Sequence, residues 1–149
     1  MTWQISFETL FTLLNAMAIS GWLILICAPR DWRILGLVPR YVVPGVIALV
    51  YTGLIAAHFA GASGGYGSLA SVRALLSSDP MLLAGWAHFL AFDLLIGVLI
   101  AERMDRAGVN RLLQIPALIA TFLFGPAGWL LGLATEAGAR WRDQLPKDV

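Results

Sequence analysis

Charge is what this chain has least of. Only 13% of its 149 residues are Asp, Glu, Lys or Arg, while 59% are hydrophobic. A soluble domain carries about 25% charged residues. Half that share, with a mean hydropathy of +0.79, excludes an ordinary water-soluble fold. The net charge of +1 is too small for a nucleic-acid binder. Cysteine is nearly absent as well. Cys27 stands alone, which excludes an internal disulfide and any multi-cysteine metal cluster. At the end of an apolar run it reads as a packing residue. Two histidines are too few for a histidine-rich di-iron centre. With two carboxylates they would suffice for one metal, but no H-E-x-x-H spacing is present. No metal and no cofactor is therefore expected. There is no G-x-S-x-G nucleophile motif. The Gly64-Gly65-Tyr66-Gly67 cluster lacks the Lys and the strand–helix setting of a phosphate loop.

What is present is apolar length. Leu10 to Ala28, Tyr41 to Ser71 and Leu112 to Thr135 contain no charged residue at all. Four spans follow, at about 5–28, 41–60, 81–101 and 112–135. Each is close to the ~20 residues that a ~30 Å hydrocarbon core requires. Runs this continuous cross as helices. The expected fold is all-α, an integral-membrane four-helix bundle forming one domain over residues 1–149. The first span has no Lys or Arg before it and exceeds the ~7–15-residue core of a signal peptide, so it reads as a permanent helix. Ser68 to Ser77 reads as a short surface helix with Leu69, Val72, Leu75 and Leu76 on one side. Six cations (Arg30, Arg33, Arg40, Arg103, Arg106, Arg111) fall in the first and third loops. The other four are Arg73, Arg140, Arg142 and Lys147. That balance leans toward both termini outside. A lone chain of this size is too small for a channel unless it forms a homo-oligomer, which the sequence leaves open.

The polar residues inside the spans carry the chemistry. Asp93 lies near the middle of the third span. A carboxylate at that depth costs about 2.5–3.5 kcal/mol on insertion scales, and intramembrane ionisable residues default to function. Trp86 is seven residues earlier and shares its face. His88 is five earlier, about 140° around the axis and about 7.5 Å along it. His88 and Asp93 are thus expected to flank a cavity, each turned to a different helix, and not to bond directly. Glu8, Thr12 and Asn15 share one face of the first span. Tyr51 and His58 share a face of the second. Structural readings stand beside these. Asn15 can be interhelical glue, Asp93 a buried anchor bonded to Asn15 or an Arg, and His58 a solvated interfacial group. In the fourth span Gly128-x-x-x-Gly132 permits close helix approach, and Pro126 predicts a kink. Glu8, Asn15, His58, Trp86 and His88 fall in the same half of the bilayer, with Asp93 just past its middle. This convergence points to one site for acid–base chemistry on a lipid-soluble substrate, or for binding one.

Trp86-x-His88 followed by Phe89-Leu90-Ala91-Phe92-Asp93-Leu94, then Leu123-Phe124-Gly125-Pro126-Ala127-Gly128, resembles the neoxanthin-synthase-like family. These are small plastid membrane proteins lost in certain abscisic-acid-deficient plants, with bacterial relatives. Ser77-Ser78-Asp79 also fits, and Asn15, Trp22 and Ala28-Pro29 fit less specifically. The resemblance covers nearly the whole chain, most strongly from Leu75 onward. It implies four membrane helices and isomerisation of an epoxy-carotenoid to an allenic one. That reaction needs an acid to open the epoxide and a base to take a proton from the polyene. Trp86, His88 and Asp93 are the positions carried over; His58 is not part of the pattern. The expectation is an isomerase acting on a carotenoid or related polyene lipid. Asp93 and His88 would be catalytic, and Trp86, Asn15, Glu8 and His58 would line the substrate. The alternative is a non-catalytic carotenoid- or lipid-binding membrane protein, or a partner of a carotenoid enzyme. With no transit-like extension, a bacterial inner membrane is the expected location.

Overall fold

The computed structural model of the chain describes residues 6–29 and 32–144. Among these residues all regular structure is helical, as the composition requires. The elements are α1 (Phe7–Cys27), α2 (Arg33–Leu37), a π-helical turn (Val38–Val42), α3 (Val43–His58), α4 (Leu69–Leu75), α5 (Asp79–Arg106), α6 (Arg111–Phe124) and α7 (Pro126–Gln144). Ser6 caps α1 by accepting from the Thr9 N–H, and Ser68 caps α4 through Ser71 in the same way. The short surface helix expected near Ser68 to Ser77 is α4, with Leu75 buried and Leu69 exposed.

Three helical segments are long and apolar enough to cross a membrane: α1, the continuous run Arg33–Gly61, and α5. The second therefore starts well before Tyr41. Its π turn absorbs Pro39, which cannot donate a backbone hydrogen bond. That turn also brings Arg40 into an ion pair with Glu102 of α5. Helix α5 is the centre of the fold and packs on α1, α3, α6 and α7. Leu14, Ile47, Leu94, Ile100, Met104 and Leu118 are almost wholly buried between these helices. Small residues set the spacing. A Cβ on Gly97 would lie 2.4 Å from the Trp22 ring, so α1 and α5 meet there without a side chain between them. Cys27, read from sequence as a packing residue, is instead exposed.

The fourth span is corrected by the structure. The run 112–135 is no single crossing helix: it folds back on itself at Gly125. Helix α6 has 14 residues, about 21 Å of rise, which is short of a ~30 Å core. Gly125 has φ +43°, a conformation that glycine reaches readily. Pro126 then starts α7, where its missing N–H costs nothing. Gly125 N–H donates to Thr121 O at 2.8 Å and Trp129 N–H donates to Gly125 O at 3.2 Å, so the tip retains backbone partners. The contacts fix the direction. Gly125 lies against Asp93, Gly132 against Ile100 and Glu136 against Arg103, so α7 climbs back along α5 beside α6. The expected kink at Pro126 is a full reversal, and the four expected spans become three candidate spans plus a helical hairpin. Ser6 and Gln144 consequently lie at opposite ends of the bundle.

Candidate functional site

The end of the bundle formed by the starts of α1 and α5 and the end of α3 is open. A cavity of about 1080 Å³ lies there, lined by Ser6, Phe7, Glu8, Phe11, His58, Asp79, Leu82, Leu83 and Trp86. Helical periodicity explains the set: Phe7, Phe11 and Asn15 stack along one face of α1 and meet Leu82 and Trp86 on α5. Trp86 Nε1–H donates to Asn15 Oδ1 at 3.2 Å, and Asn15 Nδ2 donates to Phe11 O at 2.8 Å. Phe11 tilts against Trp86 at 5.8 Å, and the His58 ring meets Phe7 edge-on at 5.9 Å. Glu8, His58 and Trp86 thus share one cavity, with Asn15 holding Trp86 from behind. Asp79 joins them at the mouth. The sequence marks it only as an acidic residue before Pro80 at a helix start.

Asp93 lies deeper on the Trp86 face, about 10.5 Å further along α5. It is half-buried. A Cβ on Gly125 would sit 2.6 Å from Asp93 Oδ1, so the hairpin tip rests directly on the carboxyl group. The start of α7 therefore points its positive end toward that group. Among the described residues Asp93 makes no hydrogen bond and no ion pair. The buried-anchor reading needed Asn15 or an arginine as partner, and Asn15 is engaged by Trp86 instead.

His88 faces elsewhere. It is exposed, stacks on Phe92 at 4.6 Å and approaches the Tyr51 ring at 5.8 Å, on the α3 side of α5. The structure therefore gathers Glu8, His58, Trp86 and Asn15, sets Asp93 below them at the tip, and turns His88 toward Tyr51 of α3, still near enough for its charge to act on Asp93. Among the described residues no group of three His, Cys, Asp or Glu comes together in a way that could hold a metal ion.

At the opposite end polar groups pair with one another, beside a smaller cavity of about 360 Å³ lined by Arg33, Arg40, Glu102 and Asp105 among others. Arg103 Nε donates to Glu136 Oε2 at 2.7 Å, and Arg140 Nη2 lies 2.9 Å from Glu136 Oε1. Glu136 is only 5% exposed. The Arg103 hydrogen bond holds its carboxyl below the usual range, with burial opposing and Arg140 assisting. Gln114 Nε2 donates to Asp105 Oδ1 at 2.7 Å, and Arg111 Nη2 donates to Ile26 O at 2.7 Å, capping the end of α1. These tie the hairpin to α1 and α5 and fix the depth of its tip.

No curated protein and no solved structure matches the chain. A family model does, over residues 9–131, a stretch running from the first turn of α1 past the hairpin tip and so including Trp86, His88, Asp93 and Gly125. The chain belongs to the ABA DEFICIENT 4-like family.

Proposed function

We propose that this protein is an integral-membrane enzyme that acts on a carotenoid or related polyene lipid by isomerase-type acid–base chemistry, with Asp93 as the proton-transfer group. One observation carries the reading. Asp93 is a carboxyl group at membrane depth with no hydrogen bond and no ion pair among the described residues, held against a glycine tip. Such a group is costly and is retained where it works. The family match supports the substrate class.

In this reading the cavity of Glu8, His58, Asp79 and Trp86 receives the polar ring end, and the polyene runs down toward Asp93. The Asp93 carboxylic acid gives its proton to an epoxide oxygen as the C–O bond opens. A carbon-bound proton then leaves to a base, so isomerisation changes no proton count. The carboxylate left on Asp93 is one such base. His88 is the second, reached from the other side of α5.

Pigment analysis in a carotenoid-producing host tests this, with wild type beside Asp93→Asn and His88→Ala. Asp93→Asn should lower product at least about 100-fold while the protein still folds. His88→Ala should retain most of it. If wild type and both variants leave the same pigment profile, the catalytic reading fails. The second reading, a binding protein, draws on the fact that the large cavity is lined by neither Asp93 nor His88. It predicts pigment co-purifying equally with all three proteins and no conversion.

A further inference from the structure

The hairpin rearranges the charges. The described part of the chain holds eight cationic side chains, all arginine. Were 112–135 a crossing helix, Arg140 and Arg142 would lie on the side of Arg73. Because α7 returns, they join Arg33, Arg40, Arg103, Arg106 and Arg111 at the end where Glu136 meets Arg103. Of the eight described arginines, seven then lie at one end and only Arg73 at the other. The direct links among these elements are Arg40 with Glu102, Arg103 with Glu136, and Arg111 with the end of α1. The cavity end carries Glu8 and Asp79 instead.

Short cationic segments flanking spans stay on the side from which a membrane protein inserts, and the bias is counted in Lys and Arg near the span ends. A six-to-four split over the whole sequence is weak. A seven-to-one split over the described residues is strong. We propose that the chain is inserted with the end bearing Arg33, Arg103, Arg111 and Arg140 in the cytoplasm, so that the cavity of Glu8, His58, Asp79 and Trp86 opens on the opposite, non-cytoplasmic face. A ligand of that cavity is then taken from the outer leaflet or the outer aqueous boundary. That the ligand is a polyene lipid rests on the proposed function; the orientation does not.

The molecule supplies its own probe. Cys27 is its single cysteine; it is exposed and lies at the end of α1, on the arginine-rich side. In a bacterial host, a membrane-impermeant maleimide should label wild-type Cys27 in inside-out vesicles and leave it unlabelled in intact spheroplasts. In a Cys27→Ser background, Ser63→Cys in the α3–α4 loop and Leu82→Cys in the cavity should show the reverse pattern. Ala137→Cys on α7 should follow Cys27. A C-terminal fluorescent fusion that matures only in the cytoplasm should glow, which covers the case of a cysteine variant that fails to fold. The reversed pattern overturns the orientation. Equal labelling from both sides overturns it too. Ala137→Cys labelling with Ser63→Cys removes the charge argument, because α7 would then end on the other face. None of these outcomes depends on pigment, so the orientation can fail while the enzymatic reading stands, or the reverse.

Discussion

The two ends of this bundle are built on opposite terms. At the cavity end Glu8, His58 and Asp79 surround open space and make no ion pair among the described residues. At the hairpin end Glu136, Asp105, Gln114, Arg103 and Arg111 are each engaged by a named partner. Close packing follows the same division. Gly128 and Gly132 let α7 touch Thr121 and Ile100, whereas the cavity end is lined by half-exposed rings. The comparison teaches that polar residues at one end hold the fold, while those at the other are left available. Asp93 lies at the border, with the hairpin tip supplying its floor.

Breaking the hairpin end should have the largest effect. A Cβ on Gly128 would lie 2.0 Å from the Thr121 backbone nitrogen, so backbone would have to move. Gly128→Ala should cost about 3 kcal/mol, the upper end for overpacking, seen as thermal unfolding in detergent at much lower temperature. Gly53, with nothing within 4 Å, is the control. Its change to Ala should be neutral or stabilise by up to about 1 kcal/mol.

Glu136→Gln should have an intermediate effect, lowering the melting temperature by a few degrees (about 4 °C), and its pH dependence is diagnostic. The Arg103 hydrogen bond lowers the Glu136 pKa in the folded state from its ordinary 4.5. Its contribution to stability is therefore complete above about pH 4.5 and is lost as pH falls through the lowered value. Wild type should lose stability in that acidic window, and the Gln variant should lack that step.

The smallest effect should come from the open end. Trp86→Phe removes the donor to Asn15 Oδ1 but keeps an aromatic ring. It should cost about 0.6–1 kcal/mol, read as a small drop in melting temperature beside a two- to fivefold weaker hold on a bound polyene. A larger loss of stability than affinity would erase the distinction between the two ends.

Much of this was legible in the residues. The apolar runs at the first three spans, the shared face of Trp86 and Asp93, and the separate faces of His88 and Asp93 all follow from helical periodicity. The reversal did not emerge, because hydropathy counts apolar residues and is blind to direction. A run from Leu112 to Thr135 is long enough to cross, and it looks the same whether it continues or turns. The signal was local: Gly125-Pro126 is a helix stop followed by a helix start, and Gly128 and Gly132 were read as packing residues without the hairpin they pack. The pairing of Glu136 with Arg103 was hidden for the same reason. A crossing helix would have put them on opposite faces.

The hairpin sets both the floor beneath Asp93 and the distribution of charge. A distance between spin labels at Leu112→Cys and Ala137→Cys, in a Cys27→Ser background, tests it most directly. A continuous helix would separate these positions by about 37 Å. Two packed antiparallel helices, with axes about 8–10 Å apart, hold them level and close. The hairpin predicts a distance of about 10–20 Å with the labels included; a distribution centred near 37 Å would contradict it.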